Sequence, residues 1–373
     1  MTLPPGTSTG CAPMATEMQQ AGIAQSAGSW WDPEVDDALV CIDVHDETHD
    51  VKSFTFVSPQ GKAIRFAAGQ YFLFEPDIDG EDNGRCYSIS SSPLRPNAIT
   101  VTTKRVAGGK VSNWMHDTLR AGMQIKASGP MGRFIRPAAK GYVFLSGGSG
   151  ITPVMSMLRE IADRAEPADV VFLHAGRSPK DLVFREELVL LARRMKGVRL
   201  LFLPEEISTD RAWHGFSGRI SRELMALAIP DIAERVVMCC GPAPFMAAAR
   251  TICTSLGVSE DRYIEESFDA AVIEDTPAPA METVAAKSFE VRFAKQGKAI
   301  AVSSDQTVLS QAKKAGLRIP SSCANGICGT CKSKLVSGTV DMQHDGGIRQ
   351  REIDAGFFLP CCSKPLSDLV VDR

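Results

Sequence analysis

Apolar positions follow two different rules in two successive stretches of the chain. Between Ala38 and about Ile135 they recur in short runs such as Ser53-Phe-Thr-Phe-Val57, Tyr71-Phe-Leu-Phe74 and Ile99-Thr-Val-Thr-Thr103, with turn residues between them. Short, closely spaced runs rich in β-branched and aromatic residues predict a small antiparallel barrel. The rule then changes to strands alternating with helices: strand 142–145, a glycine turn, helix 154–163, strand 170–173, helix 184–196, strand 198–202, strand 236–239 and a helix from Pro244. That alternation predicts a parallel sheet with its ligand loops at the carboxyl edge. Two segments obey neither rule. Residues 1–35 are rich in Pro, Gly, Ser, Thr and Ala, with few large apolar groups before Trp30-Trp31, and read as disordered. Residues 269–286 lack periodicity, contain two prolines and read as a linker; as a flexible coil they would span roughly 20–25 Å.

The pattern divides the chain into a segment 1–35, a barrel at 36–137, an α/β unit at 138–268, the linker 269–286 and a C-terminal unit at 287–373. At 373 residues and 44% hydrophobic content, two or three cores fit this division. No apolar run approaches a membrane span, and the N-terminus lacks the basic and apolar regions of a signal peptide. A cytoplasmic location is therefore expected, with no membrane or nucleic-acid partner. Eleven cysteines without paired secretory spacing fit a reducing compartment.

Net charge is −3 but unevenly divided: residues 287–373 hold thirteen Lys/Arg against eight Asp/Glu, +5, leaving −8 upstream. The opposite signs predict that the C-terminal unit docks on the body that precedes it, and that salt screens the attraction.

Candidate chemistry begins at Cys323-x4-Cys328-x2-Cys331, followed after twenty-nine residues by Cys361. Cys328-Gly-Thr-Cys331 alone would suit a dithiol or half a zinc site. Three clustered thiols plus a distant fourth instead match the ligand spacing of plant-type [2Fe–2S] ferredoxins, which the segment resembles. Gly326 and Gly329 permit positive φ, letting backbone N–H groups turn toward sulfur. Cys362 adjoins Cys361, but the resemblance implies Cys361, because the ending Pro360-Cys-Cys-Ser-Lys-Pro365 places a proline four residues after it. The resemblance thus implies a β-grasp ferredoxin domain with Cys323, Cys328, Cys331 and Cys361 as ligands.

Arg85-Cys-Tyr87-Ser88 after a barrel strand, Gly147-Gly148-Ser-Gly150-Ile-Thr152-Pro153 between a strand and a helix, and Cys239-Cys240-Gly241-Pro242 resemble the motifs of the ferredoxin-NADP reductase superfamily. The resemblance implies that Arg85 holds the flavin pyrophosphate, Tyr87 packs on the isoalloxazine and Ser88 bonds near its N5 edge. Ser112, opening a helix after Gly108-Gly109, implies FAD rather than FMN. Gly147, Gly148, Gly150 and Thr152 would meet NAD(P), with Cys240, Gly241 and Pro242 at the nicotinamide; Phe268, in the Glu266-Ser-Phe ending, would lie near the flavin. His116 reads as a surface or packing residue rather than a catalytic one. Arg177-Ser178 suits either an adenosine ribose or a 2′-phosphate, so NADH is expected with NADPH as the alternative.

The order flavin, nicotinamide, C-terminal ferredoxin resembles reductases serving Rieske-type demethylating monooxygenases, with glycine betaine the implied substrate of the partner oxygenase. The flavin would convert two-electron hydride chemistry into one-electron steps. Alternatives are a reductase for a ring- or steroid-hydroxylating oxygenase or a hybrid-cluster protein, a free-flavin reductase, and a non-enzymatic redox sensor.

Overall fold

The computed structural model describes residues 29–207, 212–268, 287–321, 326–344 and 346–373, without the side chains of Glu81 and Asp82. Six strands build the barrel: β1 (Ala38–Thr48), β2 (Val51–Val57), β3 (Tyr71–Phe74), β4 (Arg85–Ser88), β5 (Ile99–Lys104) and β6 (Gln124–Met131). Their order is β4-β3-β6-β1-β2-β5, antiparallel throughout. Phe54, Phe56, Phe72 and Phe74 fill the interior with Leu39 and Ile125. Helix α1 (Lys110–Asp117) closes one end, with Val111 and Met115 turned inward.

The N-terminal segment departs from expectation at its end. Trp31 is buried, its Nε1 donates to Gly129 O at 2.7 Å, and its ring meets Phe72 edge-on at 5.8 Å. Asp36 accepts from Lys62 Nζ at 2.7 Å. Residues 29–35 therefore belong to the barrel: one indole buries enough apolar area to order a stretch whose average composition looks disordered. The readings for residues 1–28 and for the linker 269–286 lie outside the described residues.

The α/β unit comprises β7 (Gly141–Gly147), α2 (Ile151–Asp163), β8 (Asp169–Gly176), α3 (Arg185–Arg194), β9 (Val198–Pro204), α4 (Arg222–Ala228), β10 (Val236–Cys240), α5 (Ala243–Ser255) and β11 (Tyr263–Glu266). The strand order β9-β8-β7-β10-β11 is parallel throughout. The chain winds one way from β7 and back the other way from β10, so the loops after these two neighbouring strands splay apart and leave a crevice. Helix α2 starts three residues before its sequence expectation. Pro153 is tolerated there because first-turn N–H groups have no intrahelical acceptor. The same helix grips the barrel: Ser156 Oγ donates to Ser91 O and Arg159 Nη1 to Ser90 O, each at 2.6 Å.

In the C-terminal unit, β12 (Ser288–Phe293), β13 (Lys298–Ser303), β14 (Ser333–Ser337), β15 (Phe357–Phe358) and β16 (Leu369–Asp372) form a sheet of order β13-β12-β16-β14-β15. β12 and β16 run parallel, and α6 (Val308–Lys314) packs Val308, Leu309 and Ala312 onto the core. Among the described residues no helix is long and apolar enough to cross a membrane.

Trp31→Ala is expected to destabilise the barrel by about 3–5 kcal/mol, the usual cost of emptying a buried indole site. Native-state hydrogen exchange of the β3 and β6 amides measures it locally, in a multidomain chain whose global unfolding is not two-state.

Candidate functional site

Strand β4 pairs with β3 in the register Tyr71↔Ser88, Phe72↔Tyr87, Leu73↔Cys86 and Phe74↔Arg85. Because successive side chains alternate faces, Phe72, Phe74 and Tyr87 share one face of this hairpin, and Tyr71, Leu73 and Cys86 the other. Tyr87 lies 6.1 Å from Phe74, and burial pushes its phenol well above the ordinary value. The exposed Arg85 makes one long contact among the described residues, to Gly84 O at 3.5 Å, leaving its fork available to an anion. Ser88 is buried one register position away.

Helix α1 begins at Gly109 with no side-chain cap and no acidic residue in its first turn. An uncapped first turn and a positive dipole end suit a pyrophosphate. Ser112 Oγ accepts from Val106 N at 3.3 Å, and the buried Asn113 Oδ1 next to it has no partner. This uncapped, partly unsatisfied end fits a bound FAD. Of the surface and packing readings of His116 the structure shows packing: it is buried, lies edge-on to Phe54, and its Nε2 pairs with Thr103 O at 2.9 Å.

At the β7/β10 crevice the backbones touch. A Cβ on Gly150 would sit 2.3 Å from Cys240 O, and one on Gly241 would sit 3.0 Å from Gly147 N. Glycine is thus required where the loops cross. A cleft of about 710 Å³ opens beside them, lined by Gly147, Gly148, Ser149, Pro242 and Phe245. Its dimensions and glycine rim fit the adenosine and phosphate part of a dinucleotide. Thr152 and Cys240 lie inward of this cleft: Thr152 Oγ1 donates to Ser149 O at 3.2 Å, and Cys240 is fully buried against the core around Met238. The cleft's basic side chains are all paired: Lys104 with Asp50 at 3.2 Å, Arg177 with Asp50 at 3.2 Å and Asp181 at 3.1 Å, Arg219 with Glu205 at 2.6 Å.

Beyond β11, Phe268 is 40% exposed. Glu266, two residues earlier, is half-buried with its enclosed Oε2 unpartnered, and desolvation raises its pKa to about 8. An orphaned acid at this position fits a polar ligand that would complete its hydrogen bonding.

Of the four candidate cluster ligands, Cys323 lies outside the described residues. Cys328, Cys331 and Cys361 converge as buried thiols: Cys331 is within hydrogen-bonding reach of Cys361, whose Sγ accepts from Gly326 N at 3.3 Å. Cys362 Sγ donates to Leu359 O at 3.6 Å and also lies against the loop, where a Cβ on Gly326 would meet it at 2.7 Å. Gly329, at φ +71°, could not carry a side chain, since a Cβ would lie 2.5 Å from Gly347 O. Soft donors, a backbone N–H aimed at sulfur and a tightly wound loop fit an iron–sulfur cluster.

The loop 326–331 rests on the outer face of the β3–β4 hairpin. Tyr71 O–H donates to Ile327 O at 3.0 Å and Cys86 Sγ to Cys328 O at 3.3 Å, while a Cβ on Gly329 would lie 3.3 Å from Leu73 Cδ2. Lys332 pairs with Glu75 at 3.5 Å and Arg351 with Asp37 at 3.4 Å, each a C-terminal cation on a barrel acid. Motif reading did not single out Tyr71, Glu75 or Cys86. The signal was present in Tyr71-Phe-Leu-Phe74, a strand apolar on both faces, which needs a cover on each.

Sequence comparison recovers three matching families: oxidoreductase FAD-binding domain at residues 39–135, oxidoreductase NAD-binding domain at 144–251 and 2Fe-2S iron-sulfur cluster binding domain at 291–366. The chain is 41% identical over 344 residues to the glycine betaine monooxygenase reductase subunit of Pseudomonas aeruginosa strain UCBPP-PA14, covering 89% of this chain and 94% of that one. It is 39% identical to the stachydrine N-demethylase reductase subunit of Rhizobium meliloti strain 1021, covering 92% and 97%. Among solved structures it resembles phthalate dioxygenase reductase, at 25% identity and TM-score 0.55 over 90% of this chain and 97% of that chain.

A carboxyl that is ionised above about pH 4.5 when unfolded but stays protonated to about pH 8 when folded binds more protons in the native state. Glu266 therefore costs the protein no stability below pH 4.5 and progressively more up to pH 8. Thermal melts of the apoprotein are expected to show Glu266→Gln gaining on the parent chain as pH rises through that window.

Proposed function

Since the chain belongs to the oxygenase reductase family that includes glycine betaine monooxygenase reductase subunits, we propose that it delivers electrons from NADH to a Rieske-type monooxygenase that demethylates glycine betaine. It is an NAD(P)H oxidoreductase with FAD-binding, NAD-binding and 2Fe-2S domains, acting as the electron-transfer reductase of an oxygenase. The observation that carries the proposal is the seating of the cysteine loop 326–331 on the strand bearing Arg85, Tyr87 and Ser88, which brings the two redox sites into one contact.

In this reading Arg85 and the α1 end with Ser112 hold FAD, while Tyr87 and Ser88 address its ring. Gly147, Gly148 and Gly150 let the dinucleotide approach the backbone. Thr152, Cys240, Gly241 and Pro242 shape the wall toward the nicotinamide, and Phe268 stands at the edge of the flavin. Cys323, Cys328, Cys331 and Cys361 hold the cluster. Bound flavin supplies the exchange between two-electron and one-electron chemistry; the side chains bind, orient and exclude water.

The preference for NADH is supported by charge. The cations lining the cleft are matched by Asp50, Asp181 and Glu205, so a 2′-phosphate would meet carboxylates as readily as cations. A ribose diol, by contrast, can donate to a carboxylate.

Glycine betaine is preferred as the partner's substrate because the relatives at 41% and 39% identity are named for betaine-type N-methyl compounds. Oxygen consumption by this chain, NADH and the purified partner oxygenase should depend on glycine betaine; turnover with stachydrine alone would reassign the substrate, and turnover with neither would refute the reading. Glu205→Ala, by releasing Arg219, should raise kcat/KM for NADPH about tenfold, as expected for a new charged hydrogen bond of about 1.4 kcal/mol.

A further inference from the structure

Cys86 occupies the variable position of the Arg85-Cys-Tyr87-Ser88 motif, so the flavin reading assigns it no role. Alternation turns its side chain away from the barrel interior and onto the C-terminal unit. There its Sγ donates to Cys328 O at 3.3 Å, with the Cys328 thiol within hydrogen-bonding reach and Thr330 Oγ1 at 3.8 Å. On the same face, Tyr71 O–H donates to the preceding carbonyl, Ile327 O, at 3.0 Å. Two donors from one hairpin thus address consecutive carbonyls around one cluster-ligand cysteine. Glu266, at the end of β11, lies near Cys86, placing the thiol where all three units meet.

We propose that Cys86, assisted by Tyr71, is a positioning residue for internal electron transfer, donating a hydrogen bond to the cluster loop that holds it against the flavin strand and raises the cluster potential while the ferredoxin unit is docked. This rests on the reading of Cys328 as a cluster ligand. A cluster gains one negative charge on reduction, and donors at the ligand cysteine stabilise that charge. One electron passes from flavin to cluster as in the proposed function. Cys86 is neither oxidised nor reduced and retains its proton. Because the donors belong to the barrel, the stabilisation exists only in the docked arrangement: the cluster is easier to reduce beside the flavin and a stronger reductant once separated from it.

The test uses the full reconstituted chain carrying Cys86→Val, Cys86→Ser or Tyr71→Phe. Iron content and the EPR signal of the reduced cluster establish that the site is loaded. EPR-monitored titration then gives the ratio of reduced to oxidised cluster at fixed potential, and stopped-flow absorbance the flavin-to-cluster rate. Cys86→Val is expected to shift the ratio about tenfold toward oxidised cluster, a fall of about 59 mV for a one-electron couple, and to slow transfer at least fivefold. Cys86→Ser should restore most of both through its hydroxyl, and Tyr71→Phe should move both in the same direction as Val. A loaded Cys86→Val with the parent's ratio and rate overturns the proposal. If that variant loses iron, the decision passes to Tyr71→Phe, for which unchanged values overturn the proposal and shifted values support it. A parent chain that takes up no iron and shows no cluster EPR signal refutes the functional reading, and the proposal with it.

Discussion

The architecture turns on one hairpin that is buried on both faces. Phe72, Phe74 and Tyr87 anchor β3–β4 in the barrel, while Tyr71, Leu73 and Cys86 carry the loop of the C-terminal unit. A two-residue side-chain repeat permits no intermediate: a slip of one residue would exchange the two sets and abolish both contacts at once. The hairpin's register therefore sets both the shape of the candidate flavin site and the approach of the cysteine loop.

Charge contributes to this joint in a more local way than the overall imbalance suggests. Basic residues of the C-terminal unit do meet acids of the barrel, in the sense the charge division predicts. The two pairs differ in setting, however. Lys332 and Glu75 are 12% and 10% exposed, whereas Arg351 and Asp37 are 43% and 53% exposed. Salt acts mainly on the exposed pair. The enclosed pair contributes chiefly to orientation, since desolvation offsets much of its attraction. Hydrogen bonds from Tyr71 and Cys86 are insensitive to ionic strength, so the joint does not dissolve in salt as a purely electrostatic one would.

Much of the fold was legible because periodicity and glycine placement are local. The parallel unit, its glycine turn and the cysteine spacing each stand in a few consecutive residues. Legibility failed where a contact joins distant segments or a single side chain outweighs its neighbours. Trp31 orders residues 29–35 against a composition that argues for disorder. The salt bridges that neutralise the cations of the candidate dinucleotide cleft join Asp50 to Lys104 and Arg177, and Glu205 to Arg219, pairings that no local motif encodes. Cys86 reads from sequence as structural or incidental, because its partner lies 242 residues away.

That separation has a bearing on how the chain is made. Tyr71 and Ile327 are 256 residues apart, and at translation rates of about 5–20 residues per second the barrel waits on the order of ten seconds or more before its cover is synthesised. Until then Tyr71 and Leu73 face water, a transient adhesive strip on a nascent domain, and it is a later-made module that seals it.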